Sequence, residues 1–209
     1  MKKFTDTLRF LLCLSRNGFR YNTTMVDAFF DRFLGSHKII NWKKGNPVYS
    51  SMVPPMFSPA SARLFGNSLF DAFFQKTTLY EVNIALGDVC NAKCPHCSFY
   101  ESIYSAESKV LDTAQYVEAV REIQSLGATN IVFVGGEPLM YDGICEVIRS
   151  IDRTKSISTV FTNGFFLEDQ AKALHEAGLD TIAVSIDHHN LKIHDLKRGV
   201  AGLSEKIKK

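Results

Sequence analysis

Three cysteines within eight residues form the densest group of reactive side chains in this 209-residue chain. They are Cys90, Cys94 and Cys97, spaced C-x3-C-x2-C in a loop that directly follows the apolar run 82–86. A single loop with this spacing can bring three thiolates to one soft metal centre. The spacing fits an iron–sulfur cluster held by the three thiolates. It also fits a structural zinc ion with His96 as the fourth ligand.

The surroundings of the loop favour the cluster. No second pair of ligands follows downstream, and the loop begins where a strand is predicted to leave a sheet. Ligands of α/β sheets bind at that position. Three-thiolate sites also suit iron–sulfur clusters better than zinc. A non-catalytic zinc module nevertheless remains the alternative.

Four further motifs follow the cysteine loop, each near the end of a predicted strand or in the loop beyond it. They are Gly135-Gly136-Glu137-Pro138, Thr162-Asn163-Gly164, Ser185-Ile186-Asp187 and His194-Asp195-x-x-Arg198-Gly199. In type and order the five motifs resemble those of the radical S-adenosylmethionine (radical SAM) enzymes. His96 stands where that family has an aromatic residue. The resemblance covers about residues 79–209 and looks closest to the branch that includes the molybdenum-cofactor enzyme and the peptide-modifying maturases.

The resemblance implies a radical SAM enzyme with two cofactors, a [4Fe-4S] cluster on the three cysteines and S-adenosylmethionine on the iron that lacks a protein ligand. An electron from a donor such as flavodoxin or ferredoxin would cleave S-adenosylmethionine, and the resulting 5′-deoxyadenosyl radical would abstract a substrate hydrogen. The substrate is unknown, either a peptide or an apolar small molecule or lipid. No catalytic residue is assigned beyond the cluster. The residues implied for binding S-adenosylmethionine are His96, Gly135, Gly136, Glu137, Asn163, Ser185, Asp187 and Arg198.

The glycine pair, the acidic residue after it and Asn163 each have two interpretations. Gly135 and Gly136 permit close backbone approach, and their carbonyls can accept from a bound ammonium group. Glu137 would add negative charge near the same cation. The alternative is that the glycines only make a tight strand exit. Asn163 begins an Asn-Gly turn, which is common for purely conformational reasons.

The last motifs also have structural alternatives. Ser185 and Asp187 lie at alternate positions and are expected to share one face of a strand, where the family contacts the ribose or methionyl part. Asp187 could instead cap the following loop. Arg198 is expected to bind the methionyl carboxylate, because a guanidinium fork matches a planar carboxylate, or to pair with Asp195. The histidines 188, 189 and 194 are expected to be solvated or to order loops rather than to bind metal.

From residue 79 the pattern alternates between strands and helices. Predicted strands cover 80–86, 130–134, 157–161 and 181–186. A predicted helix through residue 126 begins with a capping box of Asp112 and Gln115, and another covers 168–177 and ends at Gly178. Two more helices are predicted to begin, at an Asp142 cap and near Gly202. Right-handed crossovers would place the carboxyl ends of all four strands on one rim. We therefore predict an α/β fold, an incomplete parallel (β/α) barrel of the radical SAM type with about four β-α units.

The resembling family usually has six β-α units, so part of its core is missing here. The expected cause is C-terminal truncation, or a partner that supplies the rest. An unpaired edge on the fourth strand would need to be covered. A truncated fragment that holds the cluster but cannot bind the nucleoside is therefore a further alternative.

Residues 1–78 differ in character from residues 79–209, and we predict that they form a separate helical extension. They contain 11 Lys and Arg against 4 Asp and Glu, together with 11 of the 16 phenylalanines. Helices are predicted at 4–14, at 24–34, and from Ser58, with Pro59 at the first helical position and an apolar stripe. The stripe comprises Leu64, Leu69, Phe70, Phe73 and Phe74. Residues 41–58 are predicted to be a loop or extended arm.

Packing against the sheet is the plain interpretation of this extension. Contact with a membrane surface or an apolar substrate is the sharper one, because basic and aromatic residues are mixed. Nucleic acid is not expected, since the basic residues are scattered rather than striped. The beginning of the chain resembles a signal peptide only faintly, and the odd cysteine count fits no complete disulfide framework. We predict a cytoplasmic protein, peripheral to the membrane if the extension binds there.

Overall fold

The computed structural model describes residues 2–16, 38–75, 77–99 and 110–208. The elements in chain order are α1 (Lys2–Arg16), β1 (Asn41–Lys43), β2 (Asn46–Val48), α2 (Pro59–Phe74), β3 (Glu81–Ala85), α3 (Thr113–Ser125), β4 (Asn130–Val134), a 3-10 turn (Pro138–Met140), α4 (Ile144–Arg149), β5 (Ile157–Thr162), α5 (Leu167–Ala177), β6 (Thr181–Val184), α6 (Leu191–Arg198) and α7 (Leu203–Ile207).

The chain divides into two compact units. The first contains Met1–Glu81, Ile123–Asn130 and Asp152–Ile157. The second contains Val82–Glu122, Ile131–Ile151 and Ser158–Lys209. The predicted boundary between residues 78 and 79 stays a prediction.

The predicted α/β fold is confirmed. The four-stranded sheet has the order β3-β4-β5-β6, and helices alternate with its strands. Strand β5 pairs in parallel with β6, and the register places Thr162 opposite Val184. All four strands lie where the sequence predicts them, within about two residues at either end. Their carboxyl ends therefore lie along one edge of the sheet, as parallel strands require.

Local sequence signals set several helix ends. Helix α3 begins with the predicted capping box: the Asp112 N–H donates to the Gln115 side chain (2.9 Å), and the Gln115 N–H donates to the Asp112 carboxylate (2.8 Å). Helix α5 ends, as predicted, at Gly178, which has a left-handed conformation. The predicted Asp142 cap is wrong. Gly143 occupies the N-cap of α4 without a side-chain hydrogen bond.

Helix α6 and the strands β1 and β2 are not predicted from the sequence. Helix α6 follows Asn190, whose side chain accepts from Lys192 N–H and Ile193 N–H. Strands β1 and β2 form an antiparallel hairpin within the segment predicted to be a loop. Its turn residues Lys44 and Gly45 have φ of 48° and 76°, the positive values typical of tight hairpin turns.

The start of α2 is confirmed, but its predicted apolar stripe is wrong at Phe70 and Phe74, whereas Leu64 packs against the core. The Ser58 side chain accepts from Ser61 N–H at 3.1 Å, and Pro59 is the first helical residue. Phe70 and Phe74, however, are 38% and 61% exposed. On α2 the buried side chains include Ala62 and Phe65, and Phe65 lies one residue from the predicted stripe. Together with Phe10, Leu14 and Met56 they form an apolar core cluster in the first unit.

Helix α1 explains this difference. Alanine at position 62 lets α1 approach α2 closely, so Phe10 packs edge-on against Phe65 with ring centroids 5.3 Å apart. A helix with apolar residues all round does not itself specify its buried face. The predicted helix at 24–34 and the Phe73 side chain lie outside the described residues. Within the described segments, no helix is long and apolar enough to cross a bilayer.

Candidate active site

A cavity of about 300 Å³ in the second unit collects residues from the carboxyl ends of the sheet strands. It is lined by ten of the eleven predicted site residues: Cys90, Cys94, His96, Cys97, Gly135, Gly136, Glu137, Asn163, Ser185 and Arg198. The eleventh, Asp187, pairs with Arg198. The roles assigned to these residues in binding remain predictions. Their convergence follows from the parallel topology of the sheet.

The cysteine loop places three free thiols in the wall of this cavity. Cys94 is buried, and Cys90 and Cys97 are half-buried. Ala92 N–H donates to the Cys90 sulfur at 3.4 Å. Across the described residues, no three His, Cys, Asp or Glu side chains are gathered like the ligands of a single metal ion. Thiolates of an iron–sulfur cluster bind through separate irons, so they need a shared wall rather than one point.

Burial raises the pKa of the Cys90 thiol above its usual value. The Ala92 N–H opposes this effect, while the charges of Glu137 and the other two loop cysteines reinforce it. A free thiol here therefore favours its protonated form. A cationic metal centre would reverse that preference, since metal ligation and thiol deprotonation are coupled.

The glycine pair lets the strand exit approach the backbone of the cysteine loop. A Cβ at Gly136 would lie 2.2 Å from the Val89 carbonyl oxygen, and one at Gly135 would lie 2.9 Å from that of Gly87. Glu137 N–H donates to the Val89 carbonyl at 2.8 Å. The predicted close approach is thus present, and it is made to the chain's own backbone. Positive φ at Gly135 (131°) adds a second requirement for glycine.

Glu137 connects β4 to the end of β5. One carboxylate oxygen accepts from the Thr162 hydroxyl (2.6 Å) and Leu139 N–H (3.2 Å), and the other accepts from Asn163 N–H (2.8 Å). The side chain is 2% exposed. Burial raises the pKa of Glu137, and the Asn163 N–H bond is the largest opposing effect. Both oxygens thus have protein donors, so Glu137 positions the loop as well as contributing charge.

Asn163 extends this network to the cysteine loop. Its side-chain NH2 donates to the side-chain oxygen (Oδ1) of Asn91 at 2.8 Å. Its own side-chain oxygen accepts from Phe165 N–H at 2.9 Å. The turn interpretation of Asn163 is therefore confirmed, and its role in ligand binding stays a prediction. Asn91, between Cys90 and Ala92, was missed by sequence reasoning. Nothing in a single sequence distinguishes it from any other polar loop residue.

Arg198 is held from two sides next to the thiols. Its guanidinium forms a 2.8 Å ion pair with Asp187, and the two side chains are 12% and 16% exposed. A second guanidinium nitrogen donates to the Cys94 sulfur at 3.4 Å, and the Arg198 carbonyl accepts from Lys93 N–H at 2.8 Å. The alternative partner, Asp195, is wrong, since its carboxylate accepts from Ser204 and Gly202 instead.

Several buried polar atoms around Arg198 have no hydrogen-bond partner within the part of the chain that the structure describes. They are Arg198 Nε, Asp187 Oδ2 and Asn91 Nδ2. His96 Nε2 lies 3.7 Å from that Asp187 oxygen, beyond hydrogen-bond distance. Unsatisfied polar groups in a cavity wall are expected where a polar ligand supplies the missing partners. Three soft sulfur donors, a glycine cradle and these atoms fit a sulfur-bound metal cluster with a polar ligand.

Ser185 and the histidines lie beyond β6. Ser185 lines the cavity, and its N–H donates to the Thr162 carbonyl at 2.9 Å. Because β6 ends at Val184, Ser185 and Asp187 belong to the exit loop rather than to one strand face. His194 is buried and accepts from Asp187 N–H at 3.2 Å, and His188 accepts from Asn190 N–H at 2.9 Å. Both order the loop, as predicted.

Comparisons with known proteins agree on one family. A family model described as Radical SAM superfamily matches residues 84–209. A GTP 3′,8-cyclase of Limosilactobacillus fermentum is 32% identical over 122 residues, which cover 56% of this chain and 37% of the cyclase. That of Alkaliphilus oremlandii is 37% identical over 123 residues, covering 56% and 38%. The chain thus spans less than two thirds of the length of these relatives.

One solved structure is similar in fold over most of the chain. It is Streptococcus suis SuiB, crystallised with a bound precursor peptide. The match covers 94% of this chain and 44% of the SuiB chain, at a TM-score of 0.53 and 18% sequence identity. This similarity concerns the fold alone.

Proposed function

Because this chain belongs to the radical SAM superfamily, we propose that its second unit binds a cluster through Cys90, Cys94 and Cys97 and cleaves S-adenosylmethionine reductively. The resemblance seen in the sequence, including that to the molybdenum-cofactor branch, is confirmed. The family's cofactors are a [4Fe-4S] cluster and S-adenosylmethionine. When bound, this pair supplies one-electron cleavage of the sulfonium and a 5′-deoxyadenosyl radical that abstracts hydrogen. The observation that carries the proposal is the convergence of the three thiols and four later motifs on one cavity.

The protein's part is placement and electrostatics. Arg198 donates to the Cys94 sulfur, and hydrogen bonds to cluster sulfurs raise the reduction potential. Asp187 fixes the guanidinium in that position. The unpaired Arg198 Nε is the donor available to a ligand carboxylate. Arg198 thus donates to Cys94 with one nitrogen, and its Nε would hold the methionyl carboxylate of S-adenosylmethionine.

The rest of the cavity wall would hold S-adenosylmethionine. Gly135 and Gly136 expose backbone along the wall, where a carbonyl can accept from an ammonium group. Asn163 and Ser185 border the same space from the ends of β5 and β6. His96 would contact the nucleoside from the cysteine loop. Glu137 holds the segment after β4 against the end of β5 through its bonds to Thr162 and Asn163. It would also add negative charge next to the cationic ligand.

The substrate and electron donor are proposals as well. The matched relatives are GTP 3′,8-cyclases by name, and the match covers 37% of the length of the Limosilactobacillus fermentum protein. A match over so small a part of a relative does not define what the radical attacks. We propose a peptide or an apolar molecule as the substrate, and reduced flavodoxin or ferredoxin as the donor.

Anaerobic reconstitution with iron and sulfide tests the proposal. The wild type is expected to bind about four irons per chain and to absorb broadly near 400 nm, as sulfur-to-iron charge transfer does. The variants Cys90→Ala, Cys94→Ala and Cys97→Ala are expected to lose most of this iron. Cys145→Ala is the matched control, because Cys145 lies in α4 and does not line the cavity. Equal iron in all four variants would refute cluster binding at this loop.

Two further measurements separate the alternatives. A structural zinc module would purify with one zinc per chain and stay colourless after reconstitution. A cluster-binding fragment without nucleoside affinity would take up iron and show no saturable S-adenosylmethionine binding. The proposed enzyme is expected to bind S-adenosylmethionine and to release 5′-deoxyadenosine when reduced with dithionite. Absence of both in iron-loaded protein would rule out the reductive cleavage.

A further inference from the structure

A second cavity, of about 460 Å³, lies within the first unit and is unrelated to the cysteine loop. Helix α1 forms one wall and residues 46–59 form the other. Its lining includes Arg9, Leu12, Cys13, Arg16, Asn46 and Phe57. This volume is in the range typical of small-molecule sites.

The spacing on α1 gives this cavity a polar rim at each end and an apolar middle. Positions 9, 12, 13 and 16 follow the i, i+3, i+4, i+7 pattern and so share one helix face. Arg9 and Arg16 are two turns apart, about 10 Å along the axis. Leu12 and Cys13 lie between them. Within the described ranges, no ion pair joins either guanidinium to a carboxylate.

The opposite wall holds one arginine in place. The Arg9 guanidinium stacks on the Phe57 ring, 4.5 Å from its centroid. Phe57 has a φ of 68°, which is rare for a bulky residue and indicates a backbone fixed by its surroundings. The Cys13 thiol contributes by donating to the Phe57 carbonyl at 3.3 Å. Met56 N–H bonds to the Pro47 carbonyl at 2.9 Å, which ties this wall to the hairpin.

The middle of the cavity suits an uncharged group. Burial raises the pKa of the Cys13 thiol, so it stays neutral beside the Leu12 side chain. Two guanidiniums at the rim and an apolar floor are complementary to an anion that has an apolar part. Asn46 provides an additional donor and acceptor at the hairpin side.

We propose that this cavity binds an organic anion, with its phosphate or carboxylate head held by one of the two rim arginines, Arg9 or Arg16, and its apolar chain over Leu12 and Phe57. Such a ligand could be a free amphiphile or the headgroup region of an anionic lipid. Both have the same recognition chemistry. The site gives the basic, Phe-rich extension a specific binding function in place of a diffuse charge.

Hexyl phosphate, titrated calorimetrically into the full-length chain, tests the site. Saturable one-to-one binding is expected, with affinity that falls as salt rises, because both guanidiniums are exposed. The double variant R9Q/R16Q is expected to bind about tenfold or more weakly, which corresponds to the loss of charged hydrogen bonds. R9K/R16K keeps the charge and is expected to recover part of the affinity, since lysine lacks the planar fork.

The control variant K43Q/K44Q removes the same charge from the hairpin, away from the cavity lining. It is expected to bind hexyl phosphate like the wild type. Equal losses in R9Q/R16Q and K43Q/K44Q would overturn the proposal, because general surface charge would then explain binding. Absence of saturable binding in the wild type would overturn it as well. Circular dichroism of each variant establishes that the helices are retained.

Vesicles distinguish the two sources of the ligand. Sedimentation with phosphatidylglycerol vesicles, but not with phosphatidylcholine vesicles, that requires Arg9 and Arg16 would identify a lipid headgroup. Hexyl phosphate binding without vesicle binding would identify a free amphiphile. Vesicle binding that is unchanged in R9Q/R16Q, without hexyl phosphate binding, would overturn the site. None of these measurements needs the iron–sulfur cluster, so their failure is distinguishable from failure of the proposed radical chemistry.

Discussion

The cysteine-loop cavity in the second unit and the cluster around Phe10 in the first unit are held by different kinds of contact. At the cavity, polar side chains from separate motifs bond to one another: Glu137 to Thr162 and Asn163, and Asn163 to Asn91. The cluster around Phe10 consists of apolar side chains. Hydrogen-bond networks fix geometry, whereas apolar contacts are non-directional and tolerate rearrangement. The comparison teaches that the residues around the cavity are held for positional accuracy.

The largest expected effect comes from Gly136→Ala. The new Cβ would lie 2.2 Å from the Val89 carbonyl oxygen, a backbone atom that cannot move without displacing the cysteine loop. Iron uptake on reconstitution is therefore expected to be abolished. Gly202→Ala is the control, because Gly202 has a positive φ (75°) but nothing within 4 Å of the added carbon. It should cost about 1–2 kcal/mol of stability and leave iron content unchanged. Normal iron content in Gly136→Ala would show that the close contact between Gly136 and Val89 does not determine the geometry of the cysteine loop.

Phe10→Ala probes the first unit. Phe10 is fully buried and packs against Phe65, so truncation is expected to cost about 3–5 kcal/mol in denaturant unfolding. If the two units depend on separate contacts, iron uptake by the surviving folded protein should stay normal. Leu8→Ala, at a side chain 47% exposed on the same helix, should change stability by about 0.5 kcal/mol. If Phe10→Ala lost iron uptake together with stability, the cluster around Phe10 would also determine the geometry of the cysteine loop.

Glu137→Gln is expected to have an intermediate effect. Both Glu137 oxygens accept hydrogen bonds, whereas glutamine presents one oxygen and one NH2 group. The NH2 would face a donor at either Asn163 or Thr162. We expect a loss of about 2 kcal/mol, the cost of a buried unpaired group, together with lower affinity for S-adenosylmethionine. Glu176→Gln, at an exposed position on α5, should be neutral in both measurements. A fully neutral Glu137→Gln would show that the network is dispensable.

Asp112→Ala should have the smallest effect of the four. It removes the bond from Gln115 N–H to the Asp112 carboxylate in the capping box of α3. The free energy of unfolding should therefore fall by about 1 kcal/mol in thermal or denaturant unfolding. Asp142→Ala is a matched control, because Asp142 precedes α4 but Gly143 is the N-cap and has no side-chain cap bond. It should leave stability unchanged. Equal losses in both variants would assign the effect to general charge at helix starts rather than to the cap.

The distance along the chain between contacting residues explains which sequence predictions succeeded. In the second unit, strand positions and the capping box were readable because each depends on neighbours within a few residues. Gly178 likewise ends α5 through a local αL conformation. In the first unit, α2 carries apolar residues on several faces, and the stripe chosen from spacing contained Phe70 and Phe74, which are exposed. Choosing the buried face needed the partner helix α1.

Within the site, the sequence named the cavity residues but not their contacts. Asp187 was predicted to share a strand face with Ser185, and it instead forms the ion pair that orients Arg198. Asn91 gave no signal at all. Contacts between residues about 70 to 100 positions apart in the chain, such as Asn91 with Asn163 and Cys94 with Arg198, have no periodic or local signature.

The sequence by itself determined the thiol spacing, the family, the order of the four sheet strands, and the end of the sheet at which the motifs meet. These depend on short-range residue patterns and on the handedness of β-α units. Only the tertiary structure decided which polar groups bond to each other, which face of α2 is buried and where two arginines flank a second cavity. Those features depend on side chains that are distant in the chain and are brought together by packing.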